Sequence, residues 1–139
     1  MPATESSALP AQLRVAASPS QLTIVRAVAA AIAGAANFDL DAISDVRLAV
    51  DEACTQLLRH AAPDASMYCT FEPHESSLRV TVSVFPLASQ PTQQKTFGWH
   101  VLCSLTDHVE MTTLTQPDFA SVTAPAVSFS KSRNGGEPA

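Results

Sequence analysis

Apolar residues recur with helical spacing along a segment that follows Ser18. Ser18, Pro19 and Gln21 form a capping-box pattern, in which serine caps the helix and proline occupies its first position. The segment should end between Gly34 and Asn37, residue types that favour helix C-termini. The pattern therefore predicts a first amphipathic helix with its core face at positions 22, 25, 28, 29 and 32.

A second helical pattern follows directly. Asp39 or Asp41 should cap this helix and Pro63 should end it, since proline cannot continue a helix. Its apolar face lies at positions 43, 46, 50, 53, 54, 57 and 61.

Residue-by-residue alternation of apolar and polar side chains predicts the strands. It occurs over residues 13–17, 67–71, 78–84, 109–114 and 122–129, with turns at 73–77 and 116–118 and a loop at 86–95. A third helix should start near Thr96 or Phe97, with Val101, Leu102 and Leu105 on its core side. The order β-α-α-β-β-α-β-β predicts an α+β fold, a two-layer α/β sandwich whose mixed, mostly antiparallel sheet carries helices on one face.

Length and composition fit one globular domain, since 139 residues with 46% hydrophobic content can build a substantial core. We expect a flexible leader over 1–12, the domain over 13–130 and a disordered tail over 131–139. The formal net charge is −5 and the cationic side chains are scattered, which argues against direct nucleic-acid binding. No segment reaches the roughly 20 apolar residues of a membrane span, and the N-terminus lacks a signal-peptide pattern, so a cytoplasmic protein is expected.

The cysteines are three in number and have no CxxC spacing, so they do not suggest disulfides or a zinc site. Cys54, Cys69 and Cys103 all fall on predicted apolar faces, and we expect each to be a buried, reduced thiol. His100 and Cys103 share a helical face, but no second pair has zinc-ligand spacing.

Glu52 and Gln56 lie one turn apart on the second helix, so their side chains point the same way. A carboxylate and an amide so placed could hold a metal-bound phosphate and a water. The alternative is that both lie on a solvated helix face.

Two stretches carry a resemblance to a known family. Residues Asp45 to Arg59 and Phe97 to Leu102, with the order of elements, resemble the GHKL (Bergerat-fold, histidine-kinase-like) ATPases, and within them the RsbW/SpoIIAB-type anti-sigma factors, which are also serine protein kinases. The resemblance covers roughly residues 13–130 and implies the same sandwich fold.

The resemblance also implies site residues. Glu52 matches the proposed catalytic general base, and Gln56 replaces the asparagine that holds magnesium beside the triphosphate. Gly98 is what remains of the family's glycine-rich lid, whose backbone amides bind phosphates, and Lys95 and the helix start near Thr96 could still attract an anion. The candidate nucleotide-binding residues are therefore Gln56, Lys95, Thr96 and Gly98. The chain departs from the family at two other motifs, because Val84 stands where an aspartate would bind adenine and Pro86 stands where a glycine would be. Gly98 is also the sole glycine across residues 35–134.

The function implied is that of an anti-sigma factor. It would sequester an alternative sigma factor of the SigF/SigB class, block its association with RNA polymerase core, and be relieved by anti-anti-sigma proteins of STAS fold. The resemblance further implies a homodimer and a contact of Arg26 with both partners; the alternative for Arg26 is an exposed helix charge. We expect no required cofactor and at most weak Mg-ATP binding. The alternatives are an active serine protein kinase and a domain that only senses nucleotide weakly.

Overall fold

The computed structural model describes residues 10–91, 96–116 and 119–133. The elements are β1 (Ala11–Ala16), a 3-10 turn (Pro19–Gln21), α1 (Leu22–Ala35), α2 (Leu40–Leu58), β2 (Ala61–Pro73), β3 (Ser77–Leu87), α3 (Phe97–Leu105), β4 (His108–Gln116) and β5 (Phe119–Ser132). This is the predicted order of elements. Within the described ranges no helix is both long and apolar enough to cross a membrane.

The five strands form one sheet in the order β1-β2-β3-β5-β4, and every pairing is antiparallel. The predicted α+β class is confirmed, although the described sheet is wholly antiparallel rather than mixed. The register explains why one face is apolar: Met67, Cys69 and Phe71 of β2 stand opposite Val84, Val82 and Val80 of β3. All six side chains are buried in the core beneath the helices.

Helix α2 is the central helix of the core. Its residues Val46, Val50, Ala53 and Leu57 are fully buried, as the period of the sequence pattern predicts. Each buried valine or leucine contributes about 1.5–3 kcal/mol through removal from water. The packing fixes α2 rotationally, and its side chains at 52 and 56 are therefore left at the edge of the core.

The predicted boundaries of the helices need two corrections. Ser18 caps the 3-10 turn rather than α1, since its Oγ accepts from the backbone N of Ser20 at 3.4 Å, and α1 begins at Leu22. Helix α2 ends at Leu58, and Pro63 lies in β2. Proline is tolerated there because the β2–β3 register shifts between residues 61 and 66, and an irregular ladder does not need every backbone donor.

The predicted tail boundary at 130 is wrong, because Lys131 and Ser132 belong to β5. Lys131 is only 7% exposed, and its Nζ donates to Asp45 Oδ2 of α2 at 2.9 Å, which compensates its charge. Asp107 accepts from the backbone N of Ser132 at 2.7 Å. At the other end the leader is also shorter than predicted, since residues 11 and 12 pair with β2. Residues 1–9 and 134–139 lie outside the described residues, as does the turn at 117–118.

Candidate functional site

Glu52 and Gln56 form a closed pair on α2. Gln56 Nε2 donates a hydrogen bond to Glu52 Oε2 at 2.8 Å, and both side chains are half-buried. The predicted alternative of a fully solvated helix face is therefore not what the structure shows. One amide proton of Gln56 and one carboxylate oxygen of Glu52 are therefore already engaged in this hydrogen bond.

The N-terminus of α3 packs directly on this pair. A Cβ placed on Gly98 would lie 3.0 Å from Glu52 Cδ and still closer to Glu52 Oε2 and Gln56 Nε2. Real Cβ atoms do not approach other atoms so closely, so the two side chains would have to move if residue 98 had one. Gly98 thus brings Glu52 and Gln56 together with α3, and it does so through close packing.

Thr96 has a defined structural task at the start of α3. It is the N-cap residue, and its Oγ1 accepts from the backbone N of Trp99 at 3.1 Å. That amide is therefore already satisfied within the helix. Lys95, the other predicted nucleotide-binding residue of this region, lies outside the described residues.

The space beside the pair is small. A cavity of about 120 Å³ lies between α2, α3 and β4 in the described part of the chain. Ligand pockets usually enclose about 300–1,000 Å³. Its lining residues are Gln56, Leu57, Arg59, His60, Pro91, Thr96, Trp99 and Met111. Among the described residues this cavity does not fit a nucleoside triphosphate.

The position matching the adenine anchor is part of the core. Val84 is fully buried, pairs with Met67 in the sheet and has no hydrogen-bond acceptor in its side chain. Pro86, at the matching glycine position, lies in β3 and is exposed, and its peptide bond with Phe85 is cis. Together with the covered Glu52–Gln56 pair, these residues do not fit magnesium and ATP.

Arg26 lies on α1, bonds across to α2 and is not an isolated exposed charge. Its Nη1 donates to Asp51 Oδ1 at 2.5 Å, and the two side chains are 35% and 36% exposed. Its Nη2 reaches Thr23 Oγ1 at 3.5 Å. Sequence reasoning missed Asp51, because nothing in the local pattern shows which residue of α2 will face Arg26 across the helix pair.

The cysteines divide into two environments. Cys54 and Cys69 are buried as predicted, whereas Cys103 is exposed, which corrects the third expectation. Cys103 follows Leu102, the fully buried residue of α3, and a helix turns its next residue away from that face. A hydrogen bond with Cys69, burial and the nearby charge of Asp51 raise the pKa of the Cys54 thiol well above its ordinary value.

Metal-ligating side chains do not cluster in the described residues: no group of three or more His, Cys, Asp or Glu is placed to hold an ion. His100 and Cys103 are both exposed on α3. The described part of the chain therefore offers no zinc centre of the usual four-ligand kind.

Comparison with known proteins gives two findings. The sequence model of a family described as "Histidine kinase-like ATPase domain" matches residues 15–123. Two curated proteins named "Anti-sigma-F factor RsbW", from Mycobacterium tuberculosis strains CDC 1551 / Oshkosh and ATCC 25618 / H37Rv, are each 37% identical to the chain over 99 residues. The matched region is 71% of this chain and spans 59% of the length of those relatives.

Proposed function

Because this chain belongs to the histidine kinase-like ATPase domain family, we propose that it is an anti-sigma factor that works by binding rather than by phosphoryl transfer. It sequesters an alternative sigma factor of the SigF/SigB class and so blocks the association of that factor with RNA polymerase core. The names of its relatives support this choice of partner. Its action is cytoplasmic, where the polymerase is.

One observation carries the choice of binding over catalysis. Glu52 and Gln56 bond to each other at 2.8 Å, and Gly98 occupies the space in front of them. Phosphoryl transfer depends on positioning the phosphates and compensating their charge. Here the carboxylate and the amide bond to each other beneath the N-terminus of α3, and Val84 occupies the position that matches the adenine anchor. Such a site neither positions phosphates nor compensates their charge. The proposed activity accordingly requires no nucleotide.

The surface around the Arg26–Asp51 pair is the proposed contact with the sigma factor. The pair is about one-third exposed, so the guanidinium, which has five N–H donors, can also bond to an acidic group of a partner. Leu48 lies one turn before Asp51 on α2 and is 53% exposed. A charged pair beside an exposed leucine combines orientation with apolar area, as is common at protein interfaces.

Release follows from competition. An anti-anti-sigma protein of STAS fold that binds the same surface shifts the equilibrium by mass action, and the sigma factor is freed when the antagonist binds that surface more favourably at its prevailing concentration. We further propose that the chain acts as a homodimer. Analytical ultracentrifugation over a range of concentrations tests this, and a monomer at all of them would contradict it.

An affinity pull-down tests the proposal. The tagged chain should recover a sigma factor from lysate of the source organism, identified by mass spectrometry. Arg26→Ala should reduce the recovery, whereas Arg59→Ala, which removes an exposed charge at the C-terminal end of α2, should not. Both variants should keep the melting temperature within a few degrees, since half-exposed ion pairs contribute about 0–1 kcal/mol. Recovery of neither a sigma factor nor a STAS protein by a folded bait would contradict the proposal.

The second candidate is an active serine protein kinase. It is favoured by the retention of Glu52 and Gln56 one turn apart and half-buried on α2. Incubation with radiolabelled Mg-ATP and a recovered STAS protein distinguishes the two functions. Phosphoserine that disappears in Glu52→Gln would establish the kinase; absence of label supports binding alone. Nucleotide binding without transfer would instead indicate a domain that only senses nucleotide.

A further inference from the structure

Strand β4 is an outer edge of the sheet. In the order β1-β2-β3-β5-β4 it has a neighbouring strand, β5, on one side only. Within residues 10–91, 96–116 and 119–133, no hydrogen bond joins the backbone groups on its other side to another segment. A row of unpaired backbone donors and acceptors is a template on which a further strand can pair. The open side of β4 is therefore a candidate interaction surface.

The two edges of the sheet differ in how they are protected. Natural proteins protect an open edge by keeping the strand short or by placing charged side chains, proline or bulges on it. Strand β1, at the opposite edge, has six residues, follows Pro10 and contains Arg14. Strand β4 has nine residues without lysine, arginine or proline, and it pairs with β5 in continuous register from His108 to Thr115. An edge so long and regular is prone to aggregation unless another strand covers it.

The side chains of β4 suit the addition of a strand. Valine and threonine, which are enriched in strands, account for four of its nine residues. Val109 and Met111 pack against the core from this edge but stay partly exposed, and Leu114 on the opposite face is partly exposed as well. The ionisable residues of the strand, His108 and Glu110, are both near its beginning. A strand laid against β4 would remove more of this apolar surface from water, which is favourable.

Two copies of β4 are complementary when they run antiparallel. Thr112 is the midpoint of His108–Gln116, so pairing the whole strand with its copy puts Thr112 opposite Thr112. Glu110 then lies opposite Leu114 of the second copy, and facing threonines are a favourable cross-strand pair. Centring the pairing on Glu110 instead would bring two carboxylates together, which is unfavourable. The charge pattern and the length of β4 thus fit a second copy of this chain, in the register centred on Thr112.

The position of β4 leaves the proposed sigma-factor surface open. Helix α1, which carries Arg26, packs on α2 and β2, and β2 lies beside the β1 edge. Strand β4 is the edge strand at the other end of the sheet. A two-fold axis perpendicular to the sheet at Thr112 would join the two sheets into one and keep the helices of both copies on the same face. Each copy then presents its Arg26–Asp51 pair to a partner.

We propose that the open edge of β4 is the surface through which two copies of this chain pair, antiparallel and centred on Thr112. This inference rests on the proposed homodimer and assigns it a surface. Backbone hydrogen bonds between the two β4 strands supply the attraction, as in other interactions by strand addition, and the side chains at 110, 112 and 114 set the register.

A like charge at the two-fold axis tests the surface. Thr112→Lys places two lysines directly opposite each other, where Cβ atoms are about 5 Å apart and like charges destabilise the pairing. Analytical ultracentrifugation should show a dimer dissociation constant about tenfold higher than that of the wild type, and added salt should reverse part of the increase. Gln12→Lys adds the same charge at an exposed position of β1 and should leave the constant unchanged. Melting followed by circular dichroism checks that both variants fold.

A cysteine at the same position tests the register. Facing residues bring their Cβ atoms to about 4.5–5.5 Å, close to the distance in a disulfide. Thr112→Cys, in a Cys103→Ser background because Cys103 is exposed, should give a covalent dimer on treatment with diamide, which takes up the two electrons and two protons that the thiols release. Thr55→Cys, at an exposed position of α2 in the same background, should run as a monomer on a non-reducing gel.

The outcomes separate the surface from the homodimer and from the anti-sigma function. A wild-type dimer whose dissociation constant is unchanged in Thr112→Lys overturns the proposed surface and leaves the homodimer standing. Absence of a covalent dimer through residue 112 also overturns the surface. A wild-type chain that stays monomeric at every concentration overturns both the surface and the homodimer. None of these measurements contains a sigma factor, so the affinity pull-down remains a separate test of the anti-sigma function.

Discussion

Replacing Gly98 by alanine tests the contact between α3 and the Glu52–Gln56 pair, and the same change at Gly34 provides the control. Both glycines are helical, and alanine gains up to about 1 kcal/mol over glycine in a helix. At Gly34 the new methyl would lie 3.9 Å from Ile43 Cδ1, an ordinary contact. Gly34→Ala should therefore stabilise the protein by about 0.5–1 kcal/mol.

At Gly98 the gain is offset by two costs. The methyl must displace the Glu52 carboxylate and the Gln56 amide, which breaks a hydrogen bond worth about 0.5–1.5 kcal/mol. Crowding of the helix contact adds about 1 kcal/mol or more, although these flexible side-chain ends relieve part of it. We expect Gly98→Ala to be about 1–3 kcal/mol less stable than Gly34→Ala.

Urea unfolding followed by circular dichroism measures both variants, and the linear extrapolation resolves differences of this size. A double-mutant cycle with Glu52→Ala adds a second test, since removing the carboxylate makes room for the methyl. The coupling should be about 1 kcal/mol in favour of the double variant. Equal stabilisation by both alanine substitutions, with no coupling to residue 52, would refute the packing of α3 on this pair.

Four further predictions concern the rest of the fold. Asp45→Asn should destabilise the protein by about 1–2 kcal/mol in urea unfolding, because it leaves the buried ammonium of Lys131 without its carboxylate; an unchanged midpoint would contradict this. Thr96→Val should cost about 1 kcal/mol through loss of the α3 cap, whereas Thr96→Ser should cost little. The raised pKa of Cys54 means that the unfolded thiol, with a pKa of about 8.5, releases its proton before the folded one. Stability should therefore fall as pH rises above about 8.5, by up to 1.4 kcal/mol per pH unit for this group, and Cys54→Ala should remove that part of the fall. In the same alkaline range a thiol reagent should label Cys103 first and the buried pair only on unfolding.

The elements and the core face were predictable because both depend on local periodicity. The buried side of each element can be read from the spacing of its apolar residues. On α2 these are Val46, Val50 and Leu57, and on β3 they are the alternating Val80, Val82 and Val84. The end of α2 was not predictable in this way, since Pro63 lies within a strand irregularity that no local rule anticipates.

In the candidate site, too, local spacing was predictable from the sequence and contacts between distant elements were not. Glu52 and Gln56 share a helix face by spacing alone, so their proximity was predictable. Three contacts were not: Gly98 on that pair, Asp51 with Arg26, and Lys131 with Asp45, whose partners come from elements distant in sequence. Residues 86 positions apart meet only through the packed fold. The chemical meaning of the Glu52–Gln56 pair therefore changed once its surroundings were known.

The affinity for the sigma factor, measured with and without Mg-ATP, tests the central claim most directly. The sigma factor recovered by the tagged chain would be purified and titrated calorimetrically against the wild-type protein in both conditions. Binding without nucleotide follows from the covered Glu52–Gln56 pair, so the dissociation constant should be the same in both titrations. A complex that forms only with Mg-ATP, or that tightens tenfold in its presence, would show that this site still serves a nucleotide and would contradict the account.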